Sequence, residues 1–251
     1  MKKLPLLLSL LLIFSIASCN SDDDVATANT PKRVSKIEKF ESGNLRFVRT
    51  MTYNSNNKIQ SIITNTFNPT NLTQTISVNY SGSSISTIQF VTNYEDPNIV
   101  DTDNLYDVTY NANTIVLTRG DYEVEITHSD GYIDSVKTQY ISQPGALVTY
   151  LIRDVNQNLQ YIERDENITS SFSDFDSDKQ EAQYDNILLA DLWFKYYAAI
   201  FNLKITKNNP QKSTGVTYGE REVNYEYDAQ GYIINANILN LNDSFITTYE
   251  Q

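Results

Sequence analysis

An all-β fold is what this sequence predicts: about a dozen antiparallel strands in a curved meander or barrel-like sheet, with one short buried helix near 187–201. Three observations predict it. Tyrosine occurs 18 times in 251 residues, beside plentiful Thr, Ile, Val and Asn; the first four suit a pleated, half-buried surface, and Asn suits turns. Apolar residues fall at every second position, as in Tyr122, Val124 and Ile126, which directs one face of a strand inward. A degenerate hairpin unit also recurs along the chain.

That unit is clearest as Tyr53-Asn54-Ser55-Asn56-Asn57-Lys58-Ile59-Gln60-Ser61-Ile62. Its echoes begin at Tyr80, Tyr110, His128, Arg153 and Tyr227, spaced by 27, 30, 18, 25 and 74 residues. Each is a strand end, a polar turn of Asn, Asp, Ser or Gly, and a second alternating strand. The turn residues tolerate the positive φ that tight hairpins need. A spacing near 25 fits two strands and two turns per unit.

The 74-residue gap holds something else. Residues 165–183 are acidic and serine-rich and read as a loop. Asp185 is a plausible N-cap for a run from Ile187 to Phe201 with helical apolar spacing and no Gly or Pro. A short helix that is apolar on most sides is normally buried. It is expected to pack against the sheet or plug one end, with Trp193 in the contact.

The N-terminus supplies an address. Two lysines, an apolar stretch from Leu4 to Ala17 and small residues precede Cys19, the only cysteine. The apolar stretch falls short of the about 20 residues a membrane span needs, and its three-part layout is that of a secretory signal. Ile16-Ala17-Ser18-Cys19 resembles the end of a bacterial lipoprotein signal peptide, which implies cleavage after residue 18 and lipid on the Cys19 sulfur. An intramolecular disulfide is ruled out by the single cysteine. Residues 19–31, opening with Asn20-Ser21-Asp22-Asp23-Asp24, read as a flexible acidic tether, and 32–251 as one β-domain with the loop and helix inserted at about 165–205. The acidic tract resembles the one that follows the lipidated cysteine in Bacteroidetes lipoproteins. That implies an outer-membrane protein, facing outward rather than toward the periplasm.

Without residues 1–18 the chain carries 17 basic and 31 acidic side chains. This excess argues against a nucleic-acid partner and against electrostatic docking on anionic lipid. The charge is spread along the chain and chiefly favours solubility.

The hairpin units resemble the tyrosine–aspartate hairpin repeats of bacterial surface proteins. Together with the lipobox-like end, Tyr184-Asp185-Asn186 before the aromatic run, Asn208-Asn209-Pro210, and Tyr225-Glu226-Tyr227-Asp228-Ala229-Gln230-Gly231-Tyr232, they resemble a family of Bacteroidetes lipoproteins of unknown function with a porin-like β fold. That likeness implies fold and location only, because the family has no assigned activity.

Few residues suggest chemistry. His128, the sole histidine, stands where other units carry tyrosine and has no cysteine to pair with. Asp154-x-Asn156-x-Asn158 starts like a calcium loop, yet Leu159 takes the place of its glycine and Asp165 that of its glutamate. Asp174, Asp176 and Asp178 are weak candidates for oxygen ligands to a metal, with Lys179 where glycine belongs; otherwise no metal site is expected. No Gly-x-Ser-x-Gly elbow or glycine-rich phosphate loop is present. No catalytic residue or cofactor is assigned, and Cys19 is the one modification site. The expectation is a lipid-anchored, non-enzymatic binding or structural component of the envelope. Its partners are the membrane and a glycan, peptide or envelope protein; the alternatives are a glycan- or peptide-binding accessory of a nutrient-uptake system and a carboxylate hydrolase. Charges such as Glu123, Glu125, Asp134 and Lys137 argue against a β-domain that itself spans the membrane.

Overall fold

A computed structural model describes residues 32–67, 71–176 and 195–250. Within it, Arg33–Glu250 forms one compact unit. The signal segment, Cys19, the tether, Asp178, Asp185 and Trp193 lie outside the described residues.

Sixteen strands follow one another round a closed antiparallel barrel, each bonded to its neighbours in sequence. They are β1 Arg33–Glu41, β2 Asn44–Tyr53, β3 Ile59–Thr66, β4 Leu72–Ser81, β5 Ser84–Tyr94 and β6 Thr102–Asn111. Then come β7 Thr114–Arg119, β8 Tyr122–Ser129, β9 Tyr132–Tyr140, β10 Ala146–Arg153, β11 Leu159–Arg164 and β12 Asn167–Phe175. Helix α1, Lys195–Phe201, precedes β13 Pro210–Gly215, β14 Gly219–Tyr227, β15 Ile233–Ile238 and β16 Asp243–Glu250. The seam pairs β1 with β16 from Arg33↔Glu250 to Glu41↔Asp243, so the expected barrel-like sheet closes and leaves no free edge.

The serine-rich stretch expected to be a loop is partly strand. Residues 167–175 are β12, pairing with β11 and β13. Their Ser and Thr side chains suit a strand whose one large inward group is Phe172, buried at 6% exposure. Of the expected helix, Lys195–Phe201 is described, with Tyr197, Ala198, Ala199 and Ile200 buried.

All six recurring units map to even-to-odd hairpins, and therefore to one end of the barrel. Three of their turns share one design. Asn54, Asp154 and Asp228 each accept two backbone N–H groups on Oδ1, from the residues two and four positions on, at 2.8–3.1 Å. The fourth turn residue then takes a positive φ, at Asn57 (60°), Gln157 (67°) and Gly231. This is why Asn or Asp opens these turns, and it settles Asp154-Asn156-Asn158 as a hairpin turn.

Tyrosine is explained at the same end. Past the last ladder pair, the two strands of six odd–even pairs splay and expose a backbone group. Tyr53, Tyr80, Tyr225 and Tyr249 donate to the carbonyls of Val34, Ile59, Pro210 and Ile233 at 2.7–2.9 Å. Tyr110 accepts from the Ile85 N–H, and Arg153 replaces tyrosine in binding the Ile133 carbonyl. Each strap satisfies a backbone group the ladder leaves open.

A round barrel of sixteen strands leaves an aqueous channel. Here inward Ile37, Ile88, Leu117, Ile126, Ile133, Val136 and Leu159 are all 0% exposed, so these side chains form a packed layer inside the barrel. The segment after α1 lines the rim of the repeat end along the β8–β9, β10–β11 and β12–β13 connections. Lys204 N–H donates to the Gly131 carbonyl, Ile133 N–H to that of Lys204, and Lys207 N–H to that of Gln157. Leu159 N–H reaches Thr206 Oγ1 at 3.0 Å, and Asn209 locks onto Asp176. Outward positions are mixed: Val91 faces out between Thr75 and Asp103, and Glu125 beside Lys137.

Candidate binding mouth

At the end opposite the repeats, inward positions turn from apolar to polar. One cross-strand row at mid-wall reads Met51, Ile62, Ile76, Phe90, Asn104; the next row toward the rim reads Arg49, Thr64, Gln74, Thr92, Thr102. Gln74 and Thr102 are exposed although they point inward, which marks this end as the open mouth. Hydroxyls, an amide and a guanidinium at core-facing positions gain nothing from burial; Arg49 and Thr64 are buried and bonded to each other, while Gln74 and Thr102 stay open to solvent.

Arg49 and α1 define one side. The Arg49 side chain, 3% exposed, lies between the rings of Phe47 (4.9 Å) and Tyr196 (5.0 Å). Its Nε donates to Thr64 Oγ1 at 3.1 Å and its terminal nitrogen to the Tyr196 hydroxyl at 2.9 Å. Next to it is a cavity of about 50 Å³ lined by Thr64, Gln74, Thr75, Ile76, Phe90, Val91, Thr92 and Tyr196.

The other side is an aromatic row. Phe90 and Tyr106 meet edge to face at 5.6 Å, Tyr106 and Tyr122 at 6.4 Å, and Tyr122 and Tyr140 at 5.2 Å. Tyr197 of α1 backs Phe90 at 6.2 Å. Burial pushes the Tyr197 hydroxyl pKa well above the ordinary phenol value, with Tyr106 and Tyr122 adding to the effect. Burial also raises that of Tyr106, and Arg119 opposes the rise. Both stay neutral donors at any physiological pH. Exposure grows toward the rim, from 8% at Tyr106 to 47% at Tyr140. The Arg119 guanidinium lies 5.5 Å from the Tyr106 ring and 5.8 Å from the Tyr122 ring, and bonds the Asn104 amide oxygen.

The residues that sequence singled out lie elsewhere. His128 is half-buried at the repeat end, opposite Ile133, and its N–H donates to the Asn113 carbonyl. Asp174 pairs with Lys212 at 2.8 Å. Asp176 accepts from the Asn209 backbone and amide and from the Tyr227 hydroxyl. The two carboxylates are thus engaged by different partners, and no group of three or more metal-ligating side chains occurs among the described residues. A carboxylate pair, Glu41 and Asp243, does face across the β1–β16 seam. Lys39 lies 2.5 Å from Glu41 and 3.8 Å from Asp243, and Arg46 3.2 Å from Glu41, which makes it an ion cluster. No helix among the described residues is long and apolar enough to cross a membrane.

Of the mouth residues, sequence reasoning named Tyr122 alone, and as an inward strand position rather than as part of a site. Their signal is a polar side chain at an inward position of a strand, visible only once the register is known.

No family model and no curated protein matches this chain. Among solved structures, a porin-like protein from Bacteroides uniformis ATCC 8492 is similar with a TM-score of 0.41 at 13% identity, covering 88% of this chain and 98% of that one. A porin-like protein from Bacteroides vulgatus ATCC 8482 has a TM-score of 0.43 at 11% identity, covering 88% and 99%.

Proposed function

We propose that this protein is a lipid-anchored, non-enzymatic binding component of the outer membrane that holds its ligand at the open mouth of the barrel. One observation carries the binding reading: aromatic rings, hydroxyls, amides and a guanidinium converge on the inner wall of the mouth, while at the opposite end the segment after α1 is bonded to the backbone of three successive hairpins. Ligand sites combine rings with a few placed polar groups in this way. The filled interior favours holding over conduction. Mixed outward rows, such as Thr75, Val91 and Asp103, favour a barrel that stands beside the bilayer rather than across it, since a spanning barrel needs a continuous apolar band.

The anchor rests on Ile16-Ala17-Ser18-Cys19. Metabolic labelling with an alkyne fatty acid tests it: label is expected in the wild type and lost in Cys19→Ala, and label retained by the variant rejects the anchor. Binding is tested with a glycan and peptide array probed by the full chain in detergent. Signals that weaken in Tyr140→Ala are expected; silence across both ligand classes rejects the binding reading and leaves a structural role.

A further inference from the structure

We infer that the ligand of the mouth is an acidic oligosaccharide, its anionic group taken by Arg119 and its rings laid along Tyr122 and Tyr140. This deepens the binding reading above and rests on it.

Charge is the first argument. The protein is acidic overall, at −12, so a cation without a carboxylate partner is conspicuous. Arg119 has none among the described residues: its hydrogen bond goes to the neutral Asn104, and its other contacts are the faces of Tyr106 and Tyr122. The acidic residue two positions on, Asp121, accepts instead from the Ser142 hydroxyl at 2.8 Å. A guanidinium carries five donors in a planar fork that matches a carboxylate or sulfate. Most of that fork is unused here, and the rings beside it hold it in place.

Length and composition supply the rest. From Arg119 on β7 to Tyr140 on β9 the wall crosses two strand spacings, about 10 Å at about 4.8 Å each. That exceeds a single sugar ring and suits a short oligomer. Rings alone would equally suit an aromatic acid. The hydroxyl and amide groups of Thr92, Thr102, Gln74 and Asn104 on the same wall favour a ligand with many hydroxyls, and tyrosine presents an apolar face with a polar tip to such a surface.

Isothermal titration of the full chain in detergent decides it, with trigalacturonate, a sulfated carrageenan tetrasaccharide that carries no carboxylate, and neutral maltotriose as probes. One or both acidic probes are expected to bind, and which of them does separates a carboxylate from a sulfate source. Arg119→Ala should weaken that binding at least tenfold and Tyr140→Ala several-fold, while Arg119→Lys, which keeps the charge, should restore part of it. Arg46→Ala, at the rim but salt-bridged to Glu41, should change affinity less than twofold. Melting curves of each variant separate lost binding from lost folding. Tyr140-dependent binding of a neutral sugar or a peptide, with Arg119→Ala silent, overturns the acidic-ligand assignment and leaves the binding reading standing. Failure of every probe here and on the array takes both down.

Discussion

The two ends of the barrel are built by opposite rules. At the repeat end, polar side chains are spent on the protein's own backbone. Asn54, Asp154 and Asp228 fold their turns, the tyrosine straps satisfy splayed strands, and Thr206 and Asn209 tie the segment after α1 to β11 and the end of β12. At the mouth, polar groups line the inner wall, and Gln74, Thr102 and Tyr140 stay open to solvent. Apolar side chains are exposed on the connections there: Phe67, Ile99, Val100, Ile141, Val216, Leu239 and Leu241. Among the described turns of the repeat end, Val155 is the comparable case. A barrel needs one end to be stable and leaves the other available. Substitutions at the repeat end should therefore cost stability, and substitutions at the mouth should cost affinity.

The sharpest test is Ile133→Ala, at 0% exposure beside the segment after α1. It should destabilise by about 2–5 kcal/mol, the usual range for truncating a fully buried isoleucine, as a lowered urea midpoint at unchanged slope. Next is Asp176→Ala. It removes the carboxylate that accepts from Asn209 and Tyr227, and a cost of about 2–3 kcal/mol is expected for hydrogen bonds to a charge. Amide exchange should also accelerate at Lys204 and Lys207 if the segment is released. Asp154→Ala removes one turn's two side-chain acceptances, for about 1 kcal/mol by analogy with helix caps; Asp154→Asn should keep most of it. At the other end, Gln74→Ala should move the midpoint by less than about 0.5 kcal/mol. A large loss there would erase the contrast.

Acidity probes the mouth rim in the reverse sense. Burial raises the pKa of Asp243, with Glu41 adding to the rise and Lys39 opposing it. A carboxyl whose folded pKa exceeds its unfolded one binds its proton more tightly when folded. Its contribution therefore favours folding below the unfolded pKa near 3.9 and fades into a cost as pH rises through the folded value. Asp243→Asn should accordingly stabilise slightly at pH 7, and that advantage should disappear near pH 3. A stability gain that persists at pH 3 would assign the effect to packing instead.

Much of the repeat end could be read in the chain, because its logic is local. An Asn or Asp that accepts from residues two and four positions on leaves a short signature, and the six units locate the hairpins correctly. The purpose of their tyrosines could not be read, since Tyr53 reaches Val34 and Tyr249 reaches Ile233 through pairing that no single strand encodes. Strand β12 was hidden by its serines: Asn167-Ile168-Thr169-Ser170-Ser171 looks like a loop until β11 and β13 supply its neighbours. The mouth was hidden most fully. Gln74 and Thr92 look like ordinary solvent-facing residues, and only the register shows that they share a wall with Ile76 and Phe90.

The seam has a mechanical consequence. Strand β1 begins at Arg33, at the repeat end, and is bonded along both sides, to β16 from Arg33 and to β2 from Lys36. Ladder bonds in an antiparallel sheet run perpendicular to the strands. A pull on the chain ahead of Arg33, directed along the barrel wall, therefore strains both ladders of β1 together instead of opening them one bond at a time. A load applied at the far mouth and resisted at Arg33 acts along that same line, so the closing strand carries tension in its strongest direction.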